Sequence, residues 1–336
     1  LGNAANSAGN LARLAALEAG LPISVPGITV DRQCGSGLEA IALAARLVQA
    51  GAGRFYLAGG TESSSRAHLR FRPSTTPGGE PEPVRRARMA PDAVGDPDMG
   101  IAAENVAAHA GISRARQDAF ALESHRRAVA AAKAGQFDGE IVPVETPSGM
   151  VSRDECPREN TSLEKLAALK PVFRPNGTVT AGNACPVNDG ASVVLVTSLA
   201  EARNLGLTVL LEIIDSAVAG VDPNLLGLGP VPAMQKLVAR NPGLDVAAIP
   251  FLEFNEAFAS QVLASLDALG VDPAAVNRGG GALALGHPYG ASGAILVTRL
   301  FAQMRAADAG TTALAMMGIG GGMGIATLFQ KTGGTI

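Results

Sequence analysis

The chain has 336 residues, 47% apolar and 17% charged, too hydrophobic for a disordered polypeptide and long enough for about two domains or one doubled domain with a sizeable core. Its formal net charge of −3 argues against the concentrated positive field that tracking a nucleic-acid backbone requires. No apolar run reaches the roughly 18–20 residues of a membrane span, and residues 1–20 lack the basic start and compact apolar run of a secretory signal, so a cytoplasmic globular protein is expected.

In chain order, Leu11, Leu14 and Leu17 share one helical face within residues 9–19, and Gly20 closes that helix. Short apolar runs at 28–30 and 55–58 flank a helical stretch at 38–50, which reads as a βαβ unit. Residues 66–98 are rich in Arg and Pro and without periodicity, a long loop. Mixed charges with apolar spacing predict a surface helix over 113–134, followed by the stretch 153–158 and a short helix at 162–169. A second βαβ pattern occupies 208–214, 232–240 and 249–254. A helix opening near Asn255 comes next, then one opening at Gly290, the strand 312–317 and the glycine run 318–322.

The last third repeats the first. Cys34-Gly35-Ser36-Gly37 opens a helix that leads to a strand ending in Gly59-Gly60, and Gly290-Ala291-Ser292-Gly293 opens another that leads to 312–317 and its glycines. The helix near Asn255 takes the place of the one at 6–19. The second copy has an additional βαβ ahead of its helix, so the first half is expected to lack its opening unit, an N-terminal segment preceding Leu1. The expected division is 1–62 for the N-terminal half, 63–197 for an inserted loop domain and the return to that half, and 198–336 for the C-terminal half.

Chemistry concentrates at the glycine-flanked turns. Three cysteines, Cys34, Cys156 and Cys185, lie far apart without CxxC or Cys/His clustering, which gives neither a disulfide framework nor a metal site. Cys34 stands where a strand meets a helix N-terminus, a place that lowers a thiol pKa and favours a nucleophile. His287 lies in the matching turn of the second copy, and pseudo-twofold packing of the copies would pair it with Cys34. His68, His109 and His125 read as surface residues, and Asn255 with Glu256 reads as a helix cap. The run GIGGGMG at 318–324 offers close-packed N–H groups to an oxyanion, and no GxxxxGK[ST] or strand-linked GxGxxG suggests nucleotide phosphate or dinucleotide binding.

Five ordered motifs, DRQCGSG at 31–37, TVTAGNACPVNDGA at 178–191, NEAF at 255–258, GGALALGHPYGASG at 280–293 and GIGGGMG at 318–324, together resemble the thiolase family over nearly the whole chain. The resemblance implies a five-layered α-β-α-β-α fold of two similar halves with an inserted loop domain, and a homodimer or homotetramer. It implies coenzyme A and acyl-CoA as substrates, with no permanently bound cofactor. Cys34 matches the acylated nucleophile, His287 its base, and Asn255 the asparagine that positions a water; the N–H groups of Cys34 and Gly320 would form the oxyanion hole. Met99, Arg158, Phe173, Ala181, Ala257 and Phe258 match positions lining the coenzyme A site.

Three departures set this chain apart. Gly318 stands where the family usually has the second cysteine, which exchanges the α-proton. Cys185 replaces a serine that bonds the pantetheine amide, and Asp98 a residue that is often His. The expected activity is cleavage or formation of 3-oxoacyl-CoA through an acyl-Cys34 intermediate, as in acetyl-CoA acetyltransferases and 3-oxoacyl-CoA thiolases. Two alternatives stay open, an acyl-CoA hydrolase or acyltransferase without the carbon–carbon step, and a non-catalytic acyl-CoA-binding subunit.

Overall fold

A computed structural model describes residues 9–84, 86–207 and 211–332 of the protein. The expected beginnings of the first helix at residue 6 and of the strand at residue 208 lie outside the described residues. Helices α1 (Leu11–Glu18) and α2 (Ser36–Gln49) precede strand β1 (Phe55–Glu62). The chain then makes the short strands β2 (Arg70–Arg72) and β3 (Glu82–Val84), helices α3 (Met99–Ala110) and α4 (Arg114–Lys133), the hairpin β4 (Val144–Thr146) and β5 (Gly149–Val151), and helix α5 (Leu163–Ala167). It returns as β6 (Gly190–Thr197), followed by α6 (Leu199–Asn204), β7 (Leu211–Gly220), α7 (Pro230–Arg240), β8 (Phe251–Phe254) and α8 (Ala259–Leu269). The last elements are α9 (Ala282–Leu285), α10 (Tyr289–Gln303), β9 (Thr312–Ile319) and β10 (Met323–Lys331).

The repeat is visible in the pairing. In the first half α2 leads into β1, which pairs antiparallel with β6; in the second α10 leads into β9, which pairs antiparallel with β10. Residues 63–189 separate the paired strands in the first half, and only Gly320–Gly322 do so in the second. The second sheet has the order β7-β10-β9-β8, with β8 parallel to β9. Helices α2 and α10 lie between the two sheets, where Leu38, Ile41, Leu300, Ile325 and Phe329 are buried together. On the other face of the larger sheet α7 and α8 bury Met234, Leu237, Phe254, Leu266, Leu314 and Met316. Strand β9 serves both cores by alternation, since Leu314 and Met316 face one and Ala313, Ala315, Met317 and Ile319 the other.

The two central helices meet at glycines. A Cβ on Gly37 would stand 2.8 Å from the Ala294 nitrogen, and one on Gly293 2.4 Å from the Leu38 nitrogen, so the N-terminal turns touch through backbone. This close approach is what brings the two motif turns to one place.

Three expectations need correction. Residues 28–30 form no strand, only an isolated bridge residue at Val30. The helix at 113–134 is not merely a surface element: Gln117, Asp118, Ala121, Ser124, His125, Ala128 and Ala131 are buried, a face whose small and polar residues hide its amphipathicity. Helix α8 begins at Ala259, four residues after Asn255, so Asn255 does not cap it. Among the described residues no helix is long and apolar enough to cross a membrane.

Candidate active site

Cys34 sits on a tight turn built by its neighbours. Gln33 takes the left-handed conformation, φ 48°, and its carbonyl accepts from Ser36 Oγ at 2.6 Å, while Ser36 Oγ accepts from the Arg32 N–H at 2.9 Å. Asp31 Oδ1 accepts from the Gln33 N–H at 2.7 Å, and Arg32 is held to Glu39 at 2.9 Å. The turn presents the thiol just before α2, with the N–H groups of Gly320 and of Cys34 itself directed at the sulfur. The thiol pKa does not fall as a helix N-terminus alone would dictate. Burial pushes it up to about 11 and outweighs those N–H groups, with the Glu62 and Asp31 charges adding to the rise.

His287 is buried three residues before Gly290, whose carbonyl lies 2.9 Å from where a Cβ of Gly37 would be. Ser292 Oγ stands 2.6 Å from His287 Nδ1 and 3.0 Å from the Pro288 carbonyl, which also accepts the Ala291 and Ser292 N–H groups. Nε2 faces the Asn255 Nδ2 donor at 3.3 Å, an arrangement that suits a lone pair on Nε2 and a proton on Nδ1 directed at Ser292 Oγ. Burial pushes the His287 pKa down to about 3, and the Tyr289 ring stands edge-on to it at 4.9 Å. The resting pair is therefore a neutral thiol and a neutral imidazole, not a thiolate–imidazolium pair.

Asn255 is free to face His287 because its backbone N–H continues the sheet, bonded to Met316 O at 3.1 Å. Its neighbour Glu256 anchors the surroundings: the buried carboxylate accepts from Ser124 Oγ at 2.6 Å, Asn277 Nδ2 at 2.7 Å and the Leu283 N–H at 3.1 Å, which ties α4 and α9 to the segment behind the histidine. Gly318 lies near the end of β9, two residues before Gly320; a Cβ there would stand 3.0 Å from Gln261 Nε2. The thioether of Met89, from the Arg-rich loop, reaches within 2.7 Å of where a Cβ of Gly320 would be. That loop is held by Arg86, bonded to Asp98 at 2.6 Å and Asp96 at 2.9 Å.

The expected coenzyme A residues fall into two adjoining groups. Arg158 and Ala181 line a cleft of about 510 Å³ with His125, Cys156, Lys165 and Leu169. Phe173 and Phe258 form one apolar wall, their rings edge-to-face at 6.3 Å, and the Phe173 ring covers Gly100 in the first turn of α3, which Met99 opens. The groups join where Ala184 bridges Phe258 and Cys185 N–H donates to Ala257 O at 3.0 Å. Burial and the neighbouring Cys34 push the Cys185 thiol up to about 12. His68 and His109 are exposed, but His125 is not the surface residue expected: it is buried and its Nδ1 accepts the Arg158 N–H at 3.1 Å, an interaction between distant segments.

The Thiolase, N-terminal domain family matches residues 2–200, and the Thiolase, C-terminal domain family matches residues 207–331. This chain belongs to the thiolase family. A Bacillus subtilis protein provisionally named an acetyl-CoA C-acetyltransferase, YhfS, is 47% identical over 334 residues, 98% of this chain and 86% of that one. The crystal structure of human mitochondrial 3-ketoacyl-CoA thiolase in complex with CoA superposes with a TM-score of 0.91 at 38% identity, covering 98% of this chain and 85% of that one. The Bacillus anthracis acetyl-CoA acetyltransferase structure gives 0.88 at 37%, covering 98% and 86%. The fold is thus the α/β thiolase fold of two similar halves.

Within this thiolase, sequence reasoning missed Ser292, Tyr289, Glu256, Met89 and Gln261 as neighbours of the site. One signal was present. Ser36 and Ser292 occupy the same place in the two repeats, and both hydroxyls lock their turn. Met89 and Gln261 carry no such mark, because only tertiary folding brings them to the glycine run.

Proposed function

We propose that this thiolase is an acyl-CoA C-acyltransferase that cleaves or forms 3-oxoacyl-CoA through a thioester on Cys34. The observation that carries the reading is a thiol whose sulfur meets the Gly320 and Cys34 N–H groups, with the buried His287 imidazole, its Nε2 facing Asn255 Nδ2, in the equivalent turn of the second copy. Because thiol and imidazole are both neutral at rest, the Cys34 proton passes to Nε2 as the sulfur attacks the carbonyl. The two N–H groups receive the developing oxyanion, and Asn255 orients a water against the same imidazole. Coenzyme A occupies the cleft at Arg158 and Ala181 and the wall of Met99, Phe173, Ala257 and Phe258, with Cys185 along its path; a guanidinium suits a phosphate there. A homodimer or homotetramer belongs to the same proposal, supported by family resemblance, and a cytoplasmic location is proposed with it.

Mass spectrometry after incubation with acetyl-CoA tests it. An acetyl adduct on Cys34, absent in Cys34→Ser, is expected; an adduct on Cys156 or Cys185 instead, or none, overturns the reading. A second reading, an acyl-CoA hydrolase that retains only the acyl-Cys34 half-reaction, is favoured by Gly318, which offers no side chain to carry the α-proton. Release of coenzyme A and free acid without thiolysis of acetoacetyl-CoA would decide for it.

A further inference from the structure

Gln261 is 2% exposed, on the buried face of α8, and its Nε2 has no hydrogen-bond acceptor among the described residues. Buried amide donors are almost always paired, so one left without a protein partner calls for an acceptor from elsewhere. This nitrogen is aimed at a particular place. It stands 3.0 Å from the point where a Cβ of Gly318 would begin, on the side of β9 that faces α8, as strand alternation requires once Ile319 turns toward Gly35. A second polar atom bounds the same spot, the Gly227 carbonyl at 3.6 Å from that point. Gly318 is two residues from the Gly320 N–H that meets Cys34, and its strand bonds the Asn255 backbone through Met316.

We propose that Gln261 is a positioning residue for the carbon–carbon step, and that its free N–H holds a water at the bare backbone of Gly318 which carries the α-proton. The carboxamide has no proton to give at neutral pH, so it acts through the water. In thiolysis, Cys34 sulfur attacks C3 and its proton passes to His287. The C2–C3 bond breaks, and the electron pair left on C2 takes a proton from the held water. The resulting hydroxide accepts the thiol proton of incoming coenzyme A. The coenzyme A thiolate attacks the acyl group, and the released Cys34 sulfur takes its proton back from His287. Condensation runs the same steps in reverse.

The inference rests on the acyl-Cys34 reading, so its test separates the two. Acetylation of Cys34 by acetyl-CoA reports the first, and exchange of the acetyl α-protons in D2O, with thiolysis of acetoacetyl-CoA, reports the second. In Gln261→Ala, acetylation within about threefold of the parent is expected, with exchange and thiolysis down at least tenfold. Introducing Gly318→Cys into Gln261→Ala is expected to restore both, since a thiol carries the proton itself and no longer meets the Gln261 nitrogen; a purely structural role for Gln261 would not be rescued this way. Exchange and thiolysis unchanged in Gln261→Ala would overturn the proposal, as would a loss that Gly318→Cys leaves uncorrected in a folded double variant. Loss of Cys34 acetylation in the parent itself would instead sink the underlying reading.

Discussion

Ser292 Oγ stands 2.6 Å from His287 Nδ1. In the proposed reaction Nε2, which faces the Asn255 Nδ2 donor, is the basic nitrogen, and the Ser292 oxygen accepts the Nδ1–H of that tautomer. Ser292→Ala removes that acceptor and leaves a buried Nδ1–H unpaired, at a cost of about 1–3 kcal/mol in stability. Cys34 acetylation is expected to slow by about 10- to 100-fold as the wrong tautomer becomes populated. Stopped-flow acetylation with acetyl-CoA, beside thermal unfolding, checks both; acetylation at the parental rate would mean that Ser292 does not set the tautomer.

The neutral resting pair has a pH signature. With the Cys34 thiol pushed up to about 11, the thiolate fraction grows about tenfold per pH unit between pH 7 and 10, and alkylation by iodoacetamide follows it. A plateau near pH 8 would instead indicate a thiolate already paired with imidazolium. His287→Ala is expected to leave that alkylation profile nearly unchanged, because His287 holds no thiolate at rest. The same variant loses about 10² to 10⁴ in acetylation by acetyl-CoA, where the base acts during attack.

The turns of Cys34 and His287 were legible because their motif repeats across two halves, and a repeat that packs about a pseudo-twofold axis brings equivalent turns together; the proposed roles of Asn255 and Gly320 came only with the family resemblance. The direction of the Cys34 pKa was not legible. A helix N-terminus is local and shows in sequence, whereas the packing of Cys34 against the core that contains Ile319 is tertiary, and the burial outweighs the helix N-terminus. His125 was misread for a related reason: its charged neighbours on α4 look solvated, yet the face it shares with Ala121 and Ala128 packs inward. Residues 28–30 have strand-like composition, but a strand exists only where another pairs with it, and composition does not reveal the partner.

Glu253 offers a stability test remote from catalysis. It is buried on β8, its Oε1 accepting from Gln303 Nε2 at 2.6 Å, and burial pushes its carboxyl up to about 7, with Arg299 opposing the rise. In the unfolded chain the same group ionises near pH 4.3. The folded form therefore has its full share of stability below about pH 4.3, and loses it as pH rises through 7. Glu253→Gln keeps the acceptor and removes the ionisation, so a gain of up to about 3 kcal/mol at pH 8 and none at pH 4 is expected. Urea unfolding of parent and variant at the two pH values measures it, and an equal effect at both would exclude titration as the cause.

Gly318→Cys probes the carbon–carbon step directly. The α-proton of an acyl thioester must be delivered to the departing enolate in thiolysis or removed in condensation, and a positioned acid or base contributes about 10² to 10⁴ in rate. Glycine supplies none, whereas acyl transfer to Cys34 needs only Cys34, His287 and the Gly320 and Cys34 N–H groups. The new Cβ would stand 3.0 Å from Gln261 Nε2, the far end of a flexible side chain, so the carboxamide turns aside and the backbone stays. Thiolysis of acetoacetyl-CoA is expected to rise at least tenfold over the parent, with acetylation of Cys34 by acetyl-CoA nearly unchanged. A variant no faster than the parent would mean that another group already delivers the proton efficiently. Cys185→Ala in the parent then asks whether the second thiol near Cys34 is that group: a fall in thiolysis would identify it, and an unchanged rate would exclude it.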